Sequence, residues 1–193
     1  MHLLDANALI ALSWPAHEHH QRMLSWFSRH ARQGWATCAL TQAAFVRIIS
    51  QPAFSGRALA VAEIAEVLRL NVAHAAHRLV PLDFGFDEVL SVCSAGIIGH
   101  RQVTDAYLLT AAHRAGMKLL TFDAGVRHLL ATEAERSRLF SVTRLSAQAA
   151  WRIQAPSSPG ACEWATESAP EAASEWATNS ACTKASTRIG LVT

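Results

Sequence analysis

Short apolar runs alternate along this chain with longer segments of helical periodicity, and this alternation is the strongest constraint on its fold. Apolar runs without polar alternation are typical of strands buried on both faces. Strands separated by helices form parallel sheets, because each helix carries the chain back to where the next strand begins. The sequence therefore predicts an α/β fold, with three layers (α/β/α) and a central, mostly parallel sheet of about five strands. The predicted strands are HLLDA, WATCAL, HRLVPLD, MKLLTFD and LFSVTRL, beginning at residues 2, 35, 77, 117 and 139.

Capping residues and glycines mark the expected ends of the helices. Thr41 and Thr104 each precede a helical segment and are predicted N-caps, and Ser55 is predicted to open another helix. Gly34 and Gly116 follow helical segments and are predicted to end them. The predicted helices cover residues 8–14, 17–34, 42–50, 86–96, 105–116 and 124–130, together with the segment that Ser55 opens.

Composition divides the chain into two parts. Of the 193 residues, 51% are hydrophobic, which is enough for a substantial core, but the C-terminal part is rich in Ala, Ser, Thr, Pro and Glu. Such a segment has few aliphatic side chains to bury. We therefore predict one folded domain over residues 1–147 and a low-complexity, disordered extension over residues 148–193. Truncation after residue 150 is expected to leave folding and activity intact.

Charge, apolar run length and cysteine usage narrow the class of protein. A net charge of +2 gives no evidence of nucleic-acid binding by itself. No apolar run reaches the ~18 residues of a membrane span, and the N-terminus lacks the pattern of a signal peptide. The four cysteines form no C-x-x-C pair and are expected to be free thiols. These features predict a cytoplasmic protein with no membrane segment.

Asp5 follows the apolar run HLL, and Asp123 follows the apolar run KLLTF, so both lie at the ends of predicted strands. In parallel sheets, the carboxyl ends of the strands form the edge where ligands bind. Asp105 lies in the first turn of a predicted helix, and each acid alone is equally consistent with a helix cap or a helix-dipole contact. Three acids at one edge repel one another unless a cation lies between them, and Mg²⁺ prefers carboxylate oxygens. The acids therefore indicate metal-dependent phosphoryl transfer.

Other chemistries have weaker support in the sequence. A receiver or phosphatase-like domain, with Asp5 as the phosphoryl acceptor, is another interpretation of the same acids. The chain contains no G-x-x-x-x-G-K-[ST], G-x-G-x-x-G or G-x-S-x-G motif. P-loop or dinucleotide binding and Ser–His–Asp hydrolysis are therefore disfavoured.

Five segments, taken together in their order and spacing, resemble the PIN domain and in particular the VapC-type toxins of bacterial toxin–antitoxin pairs. The resemblance covers residues 1–145 and implies the same three-layer fold. The segments are LLDANALIAL at 3–12, HEHH at 17–20, LTQAAFVRII at 40–49, TDAYLLTAAHRAG at 104–116 and LLTFDAGV at 119–126.

The resemblance implies RNA cleavage by a Mg²⁺- or Mn²⁺-dependent endoribonuclease, with a cognate antitoxin as partner and a homodimeric assembly. It implies that Asp5 and Asp105 coordinate the metal and that Asp123 holds the metal or its water. Asn7 matches a polar residue beside the first acid, and Thr104 matches a hydroxyl near the site. The candidates for substrate positioning are Asn7, Thr104 and Arg101, the last as a phosphate contact.

One position departs from the family pattern. PIN domains often carry a glutamate in the helix after the second strand, and here the matching segment TQAAF has Gln42 where an acid is expected. Glutamine can hydrogen-bond a metal-bound water but adds no charge, so the site is expected to hold a divalent ion more weakly. Gln42 completes the candidate catalytic set. A catalytically weak or inactive module that binds RNA or protein is the alternative function.

The HEHH run offers a second, less specific cluster. His17 and His20 share one helical face at i, i+3 spacing, which resembles a metal box. The run precedes an amphipathic helix, however, and is predicted to be a solvated turn. A contribution near the RNA is the other interpretation.

Overall fold

A five-stranded parallel sheet forms the centre of the protein. The structure, a computed structural model, describes residues 1–137 and 139–141. All four pairs of neighbouring strands are parallel, so the predicted fold class is confirmed. In the sheet order β3-β2-β1-β4-β5, the strands are β1 (His2–Leu4), β2 (Trp35–Cys38), β3 (His77–Val80), β4 (Lys118–Thr121) and β5 (Leu139–Ser141).

Helices connect the strands and cover both faces of the sheet. None of those in the described part of the chain is long and apolar enough to span a membrane. The predicted extension over 148–193 lies outside the described residues. The α-helices are α1 (Ala6–Ser13), α2 (His20–His30), α3 (Ala39–Ile49), α4 (Pro52–Ser55), α5 (Val61–Val72), α6 (Phe86–Val92), α7 (Gln102–Arg114) and α8 (Glu133–Arg136), and 3₁₀ helices cover Ala31–Gln33 and Ala124–Leu129.

Two hydrophobic clusters, one on each face, hold the layers together. The α1-side core contains buried residues of α1, α2, α3 and α5, and the α7-side core contains those of α6, α7 and the second 3₁₀ helix. Successive strand residues point to opposite faces. Leu4 and Leu120 therefore enter the α1-side core, while Leu3 and Leu119 enter the α7-side core. Burial of each such leucine contributes roughly 1.5–3 kcal/mol.

The β1–β4 pair brings two strand ends to the same edge. Leu4 pairs with Leu120, and the backbone N–H of Asp5 donates to the Leu120 carbonyl at 3.0 Å. The pairing thus continues to the first residue after β1. Because the two strands are parallel neighbours, the residues that follow them emerge close together at the carboxyl edge of the sheet.

Two predicted N-caps instead lie inside the first turn of their helices. α3 begins at Ala39, and the hydroxyl of Thr41, its third residue, accepts a hydrogen bond at 3.0 Å from the backbone N–H of Cys38. α7 begins at Gln102, so Thr104 lies within its first turn. A hydroxyl inside the first turn gives the same sequence signal as one before it, so the predicted starts are wrong by two or more residues.

Other helix boundaries show where local signals succeed and fail. Ser55 ends α4 and does not open α5, which begins after Ala60, whose N–H donates to the Glu63 carboxylate at 3.1 Å. Gly34 and Gly116 have φ values of +84° and +62°, as predicted for glycines that end helices. Residues 17–19 form turns, so α2 is shorter than predicted.

Candidate active site

Asp5 lies buried at the carboxyl end of β1 and is the N-cap of α1. Its side chain is 6% exposed, and Oδ1 accepts a hydrogen bond of 2.6 Å from the backbone N–H of Ala8. Its Oδ2 accepts a hydrogen bond from the hydroxyl of Thr121. Asp5 therefore does cap α1, which was one of the two interpretations of this acid. Capping is compatible with metal binding because each carboxylate oxygen has a second lone pair.

Thr121, the last residue of β4, connects two of the acids. Its hydroxyl donates to Asp5 and accepts a hydrogen bond of 3.0 Å from the backbone N–H of Asp123. Asp123 is exposed and caps the following 3₁₀ helix, where its Oδ1 accepts from Gly125 N–H at 2.6 Å. Thr121 is not among the site residues predicted from the sequence. A polar residue in an apolar strand, two positions before an acid, was the available signal.

Asp105 reaches the same edge from the helical layer. It lies in the first turn of α7, and the next residue, Ala106, is buried in the α7-side core. The charges of Asp105 and Asp123 both raise the pKa of Asp5, and that of Asp123 raises the pKa of Asp105. Because such effects weaken with distance, the three carboxylates form one electrostatic group.

The electrostatics of this group oppose ionisation. Burial raises the pKa of Asp5 to about 6, against the hydrogen bonds from Thr121 and Ala8, which lower it. Burial, followed by the charge of Asp123, raises the pKa of Asp105 to about 6. At neutral pH both carboxylates are ionised in surroundings that disfavour their charge. A cation between them relieves that cost.

The donor set fits a hard divalent cation that keeps water ligands. Within residues 1–137 and 139–141, no three His, Cys, Asp or Glu side chains are grouped closely enough to form a complete metal cage. Mg²⁺ does not require one, because it is usually held by one or two carboxylates together with waters and substrate phosphates. The arrangement therefore suits an open site based on Asp5 and Asp105, with Asp123 beside them.

The three candidate substrate-positioning residues lie near these acids in the chain and are exposed. Asn7 is in the first turn of α1, two residues after Asp5. Thr104 directly precedes Asp105, and Arg101 directly precedes α7. All three are open to solvent at helix N-termini. Their roles stay predictions.

Gln42 belongs to a different polar network. Its amide nitrogen donates to the hydroxyl of Thr37 at 2.9 Å, and that hydroxyl lies 2.8 Å from Nε2 of His77. Along β2, Thr37 shares its face with Trp35 of the α1-side core. Thr121 occupies the opposite, α7-side face of β4. The structure therefore does not join Gln42 to the Asp5–Thr121 network, and its catalytic role stays a prediction.

Comparison with known proteins identifies the class of this fold and site. The profile described as PIN domain matches residues 2–130, and the chain belongs to the PIN-domain family. Ribonuclease VapC38 of Mycobacterium tuberculosis is 46% identical over 127 residues, which cover 65% of this chain and 87% of that protein. Within the family, the chain is of the VapC type.

Two further relatives from Mycobacterium tuberculosis support this assignment. Ribonuclease VapC39 is 40% identical over 132 residues, covering 64% of this chain and 89% of the relative. Ribonuclease VapC29 is 40% identical over 129 residues, which cover 66% of this chain and 89% of the relative. The similarity extends over most of the length of each relative.

Proposed function

We propose that this protein is a Mg²⁺-dependent endoribonuclease that hydrolyses phosphodiester bonds of RNA. The observation that carries the proposal is the electrostatic group of Asp5, Asp105 and Asp123, in which the pKa values of Asp5 and Asp105 are both raised to about 6. Helix capping alone does not require acids that repel one another, whereas a cation site does. The relatives named as ribonucleases support RNA as the substrate.

In this mechanism Asp5 and Asp105 would hold the metal, and Asp123 the metal or its water. Bound Mg²⁺ supplies the charge that acidifies a water and stabilises the attacked phosphate. The chain itself orients Asp5, since the Ala8 N–H and the Thr121 hydroxyl each occupy one carboxylate oxygen. Both hydrogen bonds favour the charged form and so oppose the effect of burial.

The direct test is cleavage of total RNA by the purified full-length protein in Mg²⁺, Mn²⁺ or EDTA. We expect fragments with either ion and none in EDTA. Asp5→Asn should slow cleavage by roughly 100-fold or more, because asparagine preserves the N-cap of α1 but not the charge. Wild-type protein that binds RNA but leaves it intact with both ions would instead support the alternative of a binding module.

The biological role belongs to the same proposal. The protein is the toxin of a VapBC-type pair, acts in the cytoplasm as a homodimer, and is neutralised by an antitoxin that covers the acidic edge. The VapC names of the relatives support this role. Expression of the wild-type chain should arrest growth, and co-expression of its cognate antitoxin should restore it. Arrest that persists in Asp5→Asn would contradict a toxicity based on cleavage.

A further inference from the structure

A cluster of three partly exposed rings lies beside the acidic edge, and the proposed mechanism leaves it unused. It consists of His17, His19 and Phe122, here called the ring cluster. The centroids of His19 and Phe122 are 4.3 Å apart, and those of His17 and Phe122 are 6.2 Å apart with planes inclined by 28°. The two imidazoles are separated by 5.6 Å. The sequence predicted that the HEHH segment forms a solvated turn. It does form a turn, but the imidazoles of His17 and His19 pack against Phe122 and are only partly exposed.

Local hydrogen bonds hold the HEHH turn in place. Nδ1 of His20 lies 2.7 Å from the carbonyl oxygen of Ala11, which ties the turn to α1. The backbone N–H of His19 donates to Nδ1 of His17 at 3.1 Å, and that of His17 donates to the Trp14 carbonyl at 3.0 Å. These contacts orient the rings of His17 and His20. The His19 side chain is 26% exposed, and its Nε2 lies 3.6 Å from the carboxylate of Glu18.

Phe122 fixes the position of the ring cluster relative to the acids. It stands between Thr121, which donates to Asp5, and Asp123, so its Cα is about 3.8 Å along the chain from that of each neighbour. Phe122 packs against the α1-side core, whereas Thr121 faces the α7-side core. The rings and the acids therefore flank the carboxyl end of β4 from its two sides.

Two simpler explanations of the cluster fit the observations less well. A hard divalent metal is not indicated, because the ring cluster contains no carboxylate and Nδ1 of His17 already accepts the backbone N–H of His19. Packing alone accounts for Phe122, which contacts the core, but not for imidazoles that are kept partly open to solvent. Oriented, accessible rings beside a phosphate-binding edge have the character of a base-stacking surface.

We infer that the ring cluster stacks a nucleobase of the RNA next to the phosphodiester bond that the acids attack. This inference rests on the proposed ribonuclease function and adds a substrate-binding role for His19, His17 and Phe122. Stacking is tolerant of sequence because every base has a π-face, and unstacked bases occur in single-stranded loops. The ring cluster therefore favours single-stranded RNA at the cleavage site.

The test begins with the cleavage site of the wild-type protein, mapped by sequencing fragment ends from total RNA. A single-stranded oligonucleotide spanning that site then serves as the substrate for steady-state kinetics. His19→Ala should raise KM about tenfold and change kcat by no more than about twofold, while His19→Phe should stay close to wild type. The control is His113→Ala, which removes an exposed imidazole eight residues beyond Asp105 on α7.

A second readout locates the stacked base. The oligonucleotide carries 2-aminopurine on either side of the cleavage site and is bound to Asp5→Asn protein in Mg²⁺. Fluorescence should be quenched at one flank, and the added substitution His19→Ala should restore it. His17→Ala provides a second variant in case His19→Ala does not fold, as judged by its melting temperature.

The outcomes separate this inference from the proposed function. If wild-type protein cleaves RNA and His19→Ala or the fallback His17→Ala has an unchanged KM, the ring cluster has no stacking role and the ribonuclease stands. A His19→Phe variant as impaired as His19→Ala would also overturn stacking, because phenylalanine keeps the ring and loses only the polar nitrogens. If wild-type protein neither binds nor cleaves RNA, both proposals fail.

Discussion

The two ends of β1 each bury one titratable side chain and affect it in opposite ways. His2, at the start of the strand, is 8% exposed, and its ring lies 5.0 Å from that of Trp26 and 5.9 Å from that of His30. Burial, with smaller effects of nearby positive charges, lowers the pKa of His2 to about 4. Asp5, just beyond the other end, is 6% exposed, and its pKa is raised to about 6.

At neutral pH these shifts have different consequences. His2 is neutral, which is the form that burial favours, so the amino end of the strand carries no electrostatic cost. Asp5 is ionised against its burial and against the charges of Asp105 and Asp123. The fold avoids the cost of a buried charge at the amino end of β1 but keeps it at Asp5. We attribute the charge at Asp5 to function, because strongly perturbed carboxylates cluster at functional sites.

Among variants outside the three acids, the largest effect is expected from Thr121→Val, which removes the hydrogen bond to Asp5. kcat/KM should fall about 10- to 100-fold, as is usual when a residue supporting a metal ligand is lost. The pKa of Asp5 should rise further, which moves the acid limb of the pH–rate profile to higher pH. The matched control is Thr110→Val, because Thr110 is equally buried and donates only to the Ala106 carbonyl, at 2.8 Å. Equal losses in both variants would mean that Thr121 acts through stability alone.

The amino end should control stability in acid. Between pH 6.5 and 4 the unfolded chain binds a proton at His2 that the folded chain does not. Stability from this group is therefore complete above pH 6.5 and is lost as the pH falls towards 4, by up to about 3 kcal/mol. Chemical denaturation across this range should show that the dependence is flatter in His2→Phe and unchanged in His113→Ala. If the free energy of unfolding of His2→Phe depended on pH as strongly as that of the wild type, His2 would not be the cause of the stability lost in acid.

At the edge that carries Asp5, Asp105 and Asp123, stability should depend on pH in the opposite direction. The folded-state pKa of Asp105 is above its usual value, so stability falls as the pH rises from about 4 through 6 and stays lower above it. Asp105→Asn should relieve this cost, by about 1 kcal/mol after solvent screening, and raise Tm at pH 7.5 by about 2–4 °C. Mg²⁺ should stabilise the wild type more than this variant.

Asp87→Asn is the matched control for Asp105→Asn. Asp87 also lies in the first turn of a helix, α6, and is exposed, so its loss removes a comparable helix-dipole contact away from Asp5 and Asp123. The adjacent acid, Glu88, is paired with Arg114 at 2.6 Å. This variant should leave Tm unchanged or slightly lower. A stabilisation equal to that of Asp105→Asn would show that crowding of the acids is not the cause.

The smallest effect is expected from Gln42→Glu. The Gln42 amide contacts Thr37, on the sheet face opposite Thr121, so an acid there should change the Mg²⁺ concentration for half-maximal cleavage by less than about threefold. Mg²⁺ titration of the cleavage rate measures this. A tightening of tenfold or more would show that position 42 does belong to the acidic site, as the family pattern suggests.

Features of the fold that depend on neighbouring residues along the chain were predicted well from the sequence. The five strands and the parallel α/β class followed from apolar runs and helical periods, because these depend on neighbours along the chain. Helix starts were less accurate, as Thr41 and Thr104 show, because a first-turn hydroxyl resembles an N-cap. The predicted domain boundary at residue 147 and the extension over residues 148–193 lie outside the described residues and stay predictions.

The sequence by itself determined that acids follow buried strands, since a strand that ends on an aspartate must release it at the carboxyl edge of the sheet. Only the tertiary structure decided which polar residues join them. Strand register brought Thr121 to Asp5, 116 positions away in sequence, and alternation directed Thr37 and its partner Gln42 to the other face. The pairing register of two strands, and the sheet face on which a side chain lies, are set by packing between segments distant in sequence. Local sequence patterns do not encode that packing.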